Sequence, residues 1–157
     1  MAIGDNSYGS VAEVETLVGR YTADGVFSTA TRPTATQVEK FIDRVSAVVN
    51  VLLAEAGFAI PVSQADAKLA LDDFVVEQAA LLCHAANGAG PYAPGSESLR
   101  GSPMKVVLRE AEAFIGEHAV GLEFLGATRD RASTYGLQCR EEDDGGDELV
   151  PAFPMEV

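Results

Sequence analysis

A chain of 157 residues with 47% hydrophobic content is long enough for one domain with a real core and too short for two. Its formal net charge is −13, from 24 acidic and 11 basic residues without a basic stripe, which argues against sequence-independent nucleic-acid binding. No apolar run approaches the ~18–20 residues of a membrane span, and two cysteines, Cys83 and Cys139, make no disulfide framework, so both are expected as free thiols.

Residues 1–9 read as an N-terminal arm, either flexible or docking. Met1-Ala2-Ile3-Gly4-Asp5 lacks the basic start and apolar run of a signal peptide, so cytosolic synthesis is expected. A helical bundle domain is predicted over 10–122. It opens with Ser10-Val11-Ala12-Glu13, a capping box, and Val11, Val14, Leu17 and Val18 form a short amphipathic helix ending near Tyr21. The polar loop from Thr22 to Pro33 is expected to anchor through Val26 and Phe27.

The stretch from Thr34 to Gly88 predicts two long helices folded back on each other. The first places Val38, Phe41, Ile42, Val45, Val48, Val49, Leu52, Leu53 and Ala56 on one side of a 3.6-residue period. Gln37, Glu39, Lys40, Asp43, Arg44 and Asn50 fall on the other side. Thr34 and Thr36 each have Gln or Glu three residues on, and Gly57 offers a left-handed stop. Ser63 is the expected cap of the second helix, with Asp66 in its first turn. That helix, rich in alanine from Ala67 to Ala86, is apolar on more than one side and is predicted to be central.

Gly88–Pro103 is a long break, with Tyr92 as its one large side chain and a partner contact as its expected role. Gly88-x-Gly90 with Gly95 does not make a phosphate loop, because it follows a helix and no Gly-Lys-Ser/Thr is present. Ser102-Pro103 opens a third long helix with Met104, Val107, Leu108, Ala111, Phe114, Ile115, His118 and Leu122 on one side. It is expected to fade at Gly121. Residues 123–157 then read as an extended acidic C-terminal arm. From Arg140 to Val157 it holds seven acidic residues against one arginine, and Leu149, Val150, Phe153 and Met155 surround two prolines. Such a segment cannot build its own core and either stays disordered or orders on a partner. Leu149, Val150, Phe153 and Met155 are therefore candidate partner-binding residues together with Tyr92.

No pattern points to catalysis, a cofactor or a metal. His84 and His118 sit in or beside apolar helical faces and read as packed structural histidines. A helical di-metal site wants Glu-x-x-His, but Ile115 stands three beyond Glu112. There is no Gly-x-Ser-x-Gly turn, and Glu110, Glu112 and Glu117 read as a solvated face. The fold class expected is all-α: a small bundle of one short and three long helices with an extended loop and a C-terminal arm.

The order of elements is suggestive. Tyr8-Gly9-Ser10-Val11-Ala12-Glu13-Val14-Glu15 opens a short helix, Pro33-Thr34-Ala35-Thr36-Gln37-Val38-Glu39-Lys40-Phe41-Ile42-Asp43 a long one, and Gly57-Phe58-Ala59-Ile60-Pro61-Val62 precedes the alanine-rich helix. Over residues 8–88, and loosely beyond, this resembles the head-to-tail connector (adaptor or head-completion) proteins of tailed bacteriophages. The resemblance implies a virion structural protein in the neck, made in the host cytoplasm. It implies a ring, commonly of twelve copies, whose partners are the portal protein, neighbouring copies of itself and the next neck or tail component. DNA would pass through the ring without specific binding, and no membrane, cofactor or catalytic residue is implied. The long Gly88–Pro103 loop and acidic extension depart from a compact member. Two other readings stay open: an acidic helical DNA mimic or protein-binding inhibitor module, and a small helical enzyme with an unrecognised site.

Overall fold

The computed structural model describes residues 3–88 and 102–129, which form four α-helices and no strand: α1 (Val11–Leu17), α2 (Ala35–Glu55), α3 (Ala65–Ala86) and α4 (Pro103–Phe124), with a 3-10 turn at Gly19–Tyr21 after α1. This is the small all-α bundle that the hydrophobic period predicts. The rest of the long loop and most of the C-terminal arm lie outside the described residues.

Side-chain caps start α1 and α2. The Glu13 N–H donates to Ser10 Oγ at 3.3 Å, and the Ser10 hydroxyl donates to Glu13 Oε2 at 2.7 Å. Thr34, not Thr36, flanks α2, and its N–H donates to Gln37 Oε1 at 2.9 Å. The Ser63 cap does not form: Gln64 takes the flanking position with extended backbone and no side-chain cap, while Ser63 is exposed. Ser102 and Pro103 take the flanking and first positions of α4 as expected, but the Ser102 side chain makes no cap bond.

Two of the helices stop in the same way. At Gly57 and Gly126 the backbone turns left-handed, with φ of +85° and +95°. Phe58 N–H then reaches the Leu53 carbonyl and Ala127 N–H the Leu122 carbonyl, each at 2.9 Å, which is the Schellman pattern. The helix α4 therefore runs past Gly121 to Phe124, and its glycine stop lies five residues later than the sequence suggests. The chain after each stop pairs with the other. Ala59 N–H donates to the Thr128 carbonyl at 2.8 Å, and Phe58 and Arg129 form an isolated antiparallel bridge. The packed body thus extends to Arg129, beyond the boundary read at residue 122.

The helices α2 and α4 touch and run parallel, with the matched progression Val51/Leu108 to Ala56/Ala119 along them, and α3 packs on both. Val38, Ile42, Val45, Val49 and Leu53 form one fully buried stripe on α2, at steps of three and four. The helix α3 buries Ala67, Leu71, Phe74, Val75, Val76, Ala79, Ala80, Leu82 and Cys83, spread over several faces. It packs on α1, α2 and α4, so it is central as predicted, though α2 also touches all three others. Phe74 stacks on Phe114 at 4.6 Å between ring centroids, fastening α3 to α4. Two apolar expectations do not hold. Val26 is exposed because a tight Ala23–Val26 turn points it outward, and Phe27 anchors the first loop together with the buried Thr31 and Pro33. Leu17 is exposed too, so α1 holds on through Val14 and the following Val18.

Candidate docking surface

The residues singled out for partner binding, Tyr92, Leu149, Val150, Phe153 and Met155, lie outside the described residues, as does Cys139. Of the chemistry-bearing side chains inside them, Cys83 is buried in α3 and its thiol is pushed up to about 12 by burial, which makes it inert at neutral pH. His84 is partly buried. Its Nδ1 lies 2.7 Å from Arg20 Nη2 and 3.1 Å from Tyr21 Oη, and its ring meets the Tyr21 ring edge-on. Burial, and then the Arg20 charge, hold its pKa below the ordinary value. It is the hydrogen-bonded structural histidine expected. His118 is exposed instead, touching only the edge of Phe114 among aromatic rings. No group of His, Cys, Asp and Glu among the described residues could hold a metal ion. No helix among them is long and apolar enough to cross a membrane.

The N-terminal arm is docked, on its own bundle. Asp43, Ser46 and Asn50 stand at i, i+3 and i+7 on α2, one polar stripe beside the core. Asp43 Oδ1 accepts from Gly4 N–H at 3.0 Å and from the Ser7 hydroxyl at 2.8 Å. Ser46 Oγ accepts from Tyr8 N–H at 3.0 Å, and Asn50 Nδ2 donates to the Asn6 carbonyl at 2.8 Å. Tyr8 is 1% exposed; its hydroxyl donates to Asn50 Oδ1 at 2.9 Å and accepts from Val62 N–H at 3.1 Å. Gly9 N–H donates to Asp72 Oδ1 on α3 at 2.7 Å, and Lys68 Nζ holds both Asp72 oxygens at 2.7 Å. These polar groups are occupied by structure. Sequence reading placed Asp43 and Asn50 on the solvent side of α2; the i, i+3, i+7 spacing around Ser46 was the available signal.

What remains open is an apolar groove between the outer faces of α2 and α4. One hollow of about 460 Å³ is lined by Ala47, Val48, Val51, Leu52, Leu108 and Glu112, among others. A second, of about 400 Å³, shares Leu52, Glu55 and Glu112 with it and continues along Ile115, Gly116, Ala119 and Val120 to Arg129. Small residues at Ala47, Ala56, Gly116 and Ala119 keep the floor low; a Cβ added at Gly116 would meet nothing within 4 Å. The walls are apolar and wet: Val51 is 57% exposed and Val120 62%, and Phe124 stands 87% exposed beyond the end of the groove. This continuous apolar strip is the candidate contact surface of the described residues. Val51 is absent from the apolar stripe read on α2, and Leu108 was assigned to the core side of α4, so this surface was not visible in the sequence.

Comparison with family models, with curated proteins and with solved structures found no match to this chain.

Proposed function

We propose that the chain is a structural connector without catalytic activity, assembling as a ring between the portal and the tail of a bacteriophage virion while DNA passes through. The reading comes from the order of elements over residues 8–88. The observation that supports it best is the α2/α4 groove: the described body offers an apolar strip for another polypeptide, and its ordered polar groups clasp its own N-terminal arm. Charge is consistent with a channel. Asp66, Asp73 and Glu77 share one exposed stripe on α3 with Leu69, and a lumen lined by carboxylates repels phosphates. In this reading that stripe faces the DNA and the C-terminal arm grasps the portal or a neighbouring copy.

The test is attachment to a portal ring from the same phage. Removal of residues 141–157 is expected to leave the helical circular-dichroism signal and the unfolding transition in place and to weaken attachment. Unchanged attachment after that removal would refute the assignment of the arm.

A further inference from the structure

The groove carries charge at both ends, and its pattern has a direction. One turn toward the N-termini of α2 and α4, the faces that line it hold Arg44 and Lys105, and Arg109 follows Leu108 with its Nη2 2.7 Å from Glu110 Oε1; all three arginine and lysine side chains are exposed. The apolar stretch from Val48 and Leu108 to Val120 follows. At the far end stands Arg129, whose Nε is 3.4 Å from Glu123 Oε2 and whose guanidinium lies 4.8 Å from the Phe58 ring centroid. The surface therefore reads basic, apolar, basic along the direction of the two helices.

The chain beyond Arg129 contains the complementary series in the same order. Glu141, Glu142, Asp143, Asp144, Asp147 and Glu148 come first. The uncharged string Leu149-Val150-Pro151-Ala152-Phe153-Pro154-Met155 follows, and then Glu156. Lengths agree as well. From Leu108 to Val120 the helix rises ~18 Å at 1.5 Å per residue, and residues 149–155 in polyproline form span ~19 Å from first to last Cα. The string is uncharged where it would pass Glu55 and Glu112 on the groove wall. Its two prolines matter too. Helical walls have no free backbone groups to pair with a strand, and proline has no N–H to satisfy.

The connection reaches. Residue 130 starts at the Arg129 end of the groove, and the 11 residues 130–140 cover up to ~36 Å when extended, more than the ~22 Å back to the basic end. A tethered segment also meets its site at an effective concentration in the millimolar range, so a weak contact is enough to close it.

We infer that in the free chain residues 149–155 lie in the α2/α4 groove of their own bundle, running parallel to the two helices, with the acidic run 141–148 against Arg44, Lys105 and Arg109. This covers the exposed apolar strip until a partner takes the segment. The inference goes beyond the connector reading and does not depend on it, because the isolated protein reports it without any portal.

The chain has no tryptophan, so Phe153→Trp in the full-length protein places a single reporter in the segment. Its emission is expected to be blue-shifted and severalfold less quenched by acrylamide than that of free tryptophan, at every point of a wide dilution series. Val51→Asp or Val120→Asp, both at exposed positions, should move the emission to that of a solvated indole. Leu69→Asp, exposed on α3 and outside the groove lining, should leave it unchanged. Solvated emission in the Phe153→Trp protein itself would overturn the inference. So would shielding that appears only at high concentration, which would put the segment on a second copy, or shielding indifferent to both groove substitutions.

Discussion

Tyr8 ties the N-terminal arm to the hairpin of α2 and α3 through one oxygen. Its hydroxyl serves Asn50 as donor and the Val62 N–H as acceptor in a nearly water-free place. Burial raises its pKa, with the Asp72 carboxylate adding to the effect, so it stays a neutral donor well above physiological pH. Tyr8→Phe removes the oxygen and leaves the Val62 N–H and Asn50 Oδ1 without partners, and orphaned buried groups cost about 1–3 kcal/mol in total. Urea denaturation is expected to show a lower midpoint at an unchanged m-value. His84 gives a second residue-scale expectation. Its folded pKa is depressed, so the unfolded chain binds the proton first as pH falls below the ordinary 6.5. Its contribution to stability is complete above that value and is lost as pH falls toward the folded pKa. Melting temperature should therefore fall between neutral pH and pH ~5.5, and His84→Gln should flatten that slope. An unaltered slope would show that other groups control it.

The α3 helix shows how much of an element its sequence declares. Leu69 and Leu71 sit two residues apart and point in nearly opposite senses around the helix: Leu71 is fully buried and Leu69 is 58% exposed. Leu71→Ala should cost about 2–5 kcal/mol, because it opens a cavity among packed neighbours. Leu69→Ala should change stability by no more than about 0.5 kcal/mol. Similar losses at both positions in chemical denaturation would mean that the buried face of α3 is misplaced. The helices themselves were readable because their causes are local. Core stripes such as Val38, Ile42, Val45 and Val49 repeat within one element, and capping residues act over three or four positions. The Gly57 stop was readable for the same reason. What the sequence did not disclose depends on partners far along the chain. Asp43 and Asn50 look like any solvated polar pair until residues 4–8 arrive across some forty positions of sequence. The groove is a mismatch between two apolar arcs wider than the contact they make. Such an excess appears only when α2 and α4 are set side by side. Gly121 misled for a related reason, since a glycine within a helix is tolerated and the stop needed Gly126 to turn left-handed.

At the scale of the molecule, the packed residues 3–88 and 102–129 carry one continuous apolar groove among the described residues, ending at Arg129. On the connector reading, the charge of −13 on the whole chain keeps copies apart in solution, so ring formation needs a template to gather them. A connector built this way should be monomeric when alone, and its copies should close into a ring only on a surface that orders them. Native mass spectrometry of the full-length chain, alone and mixed with a portal ring from the same phage, tests this directly. A single-chain mass alone, together with a portal complex that gains a complete ring's worth of copies, is the expected outcome. A portal ring whose mass is unchanged by excess chain would contradict it.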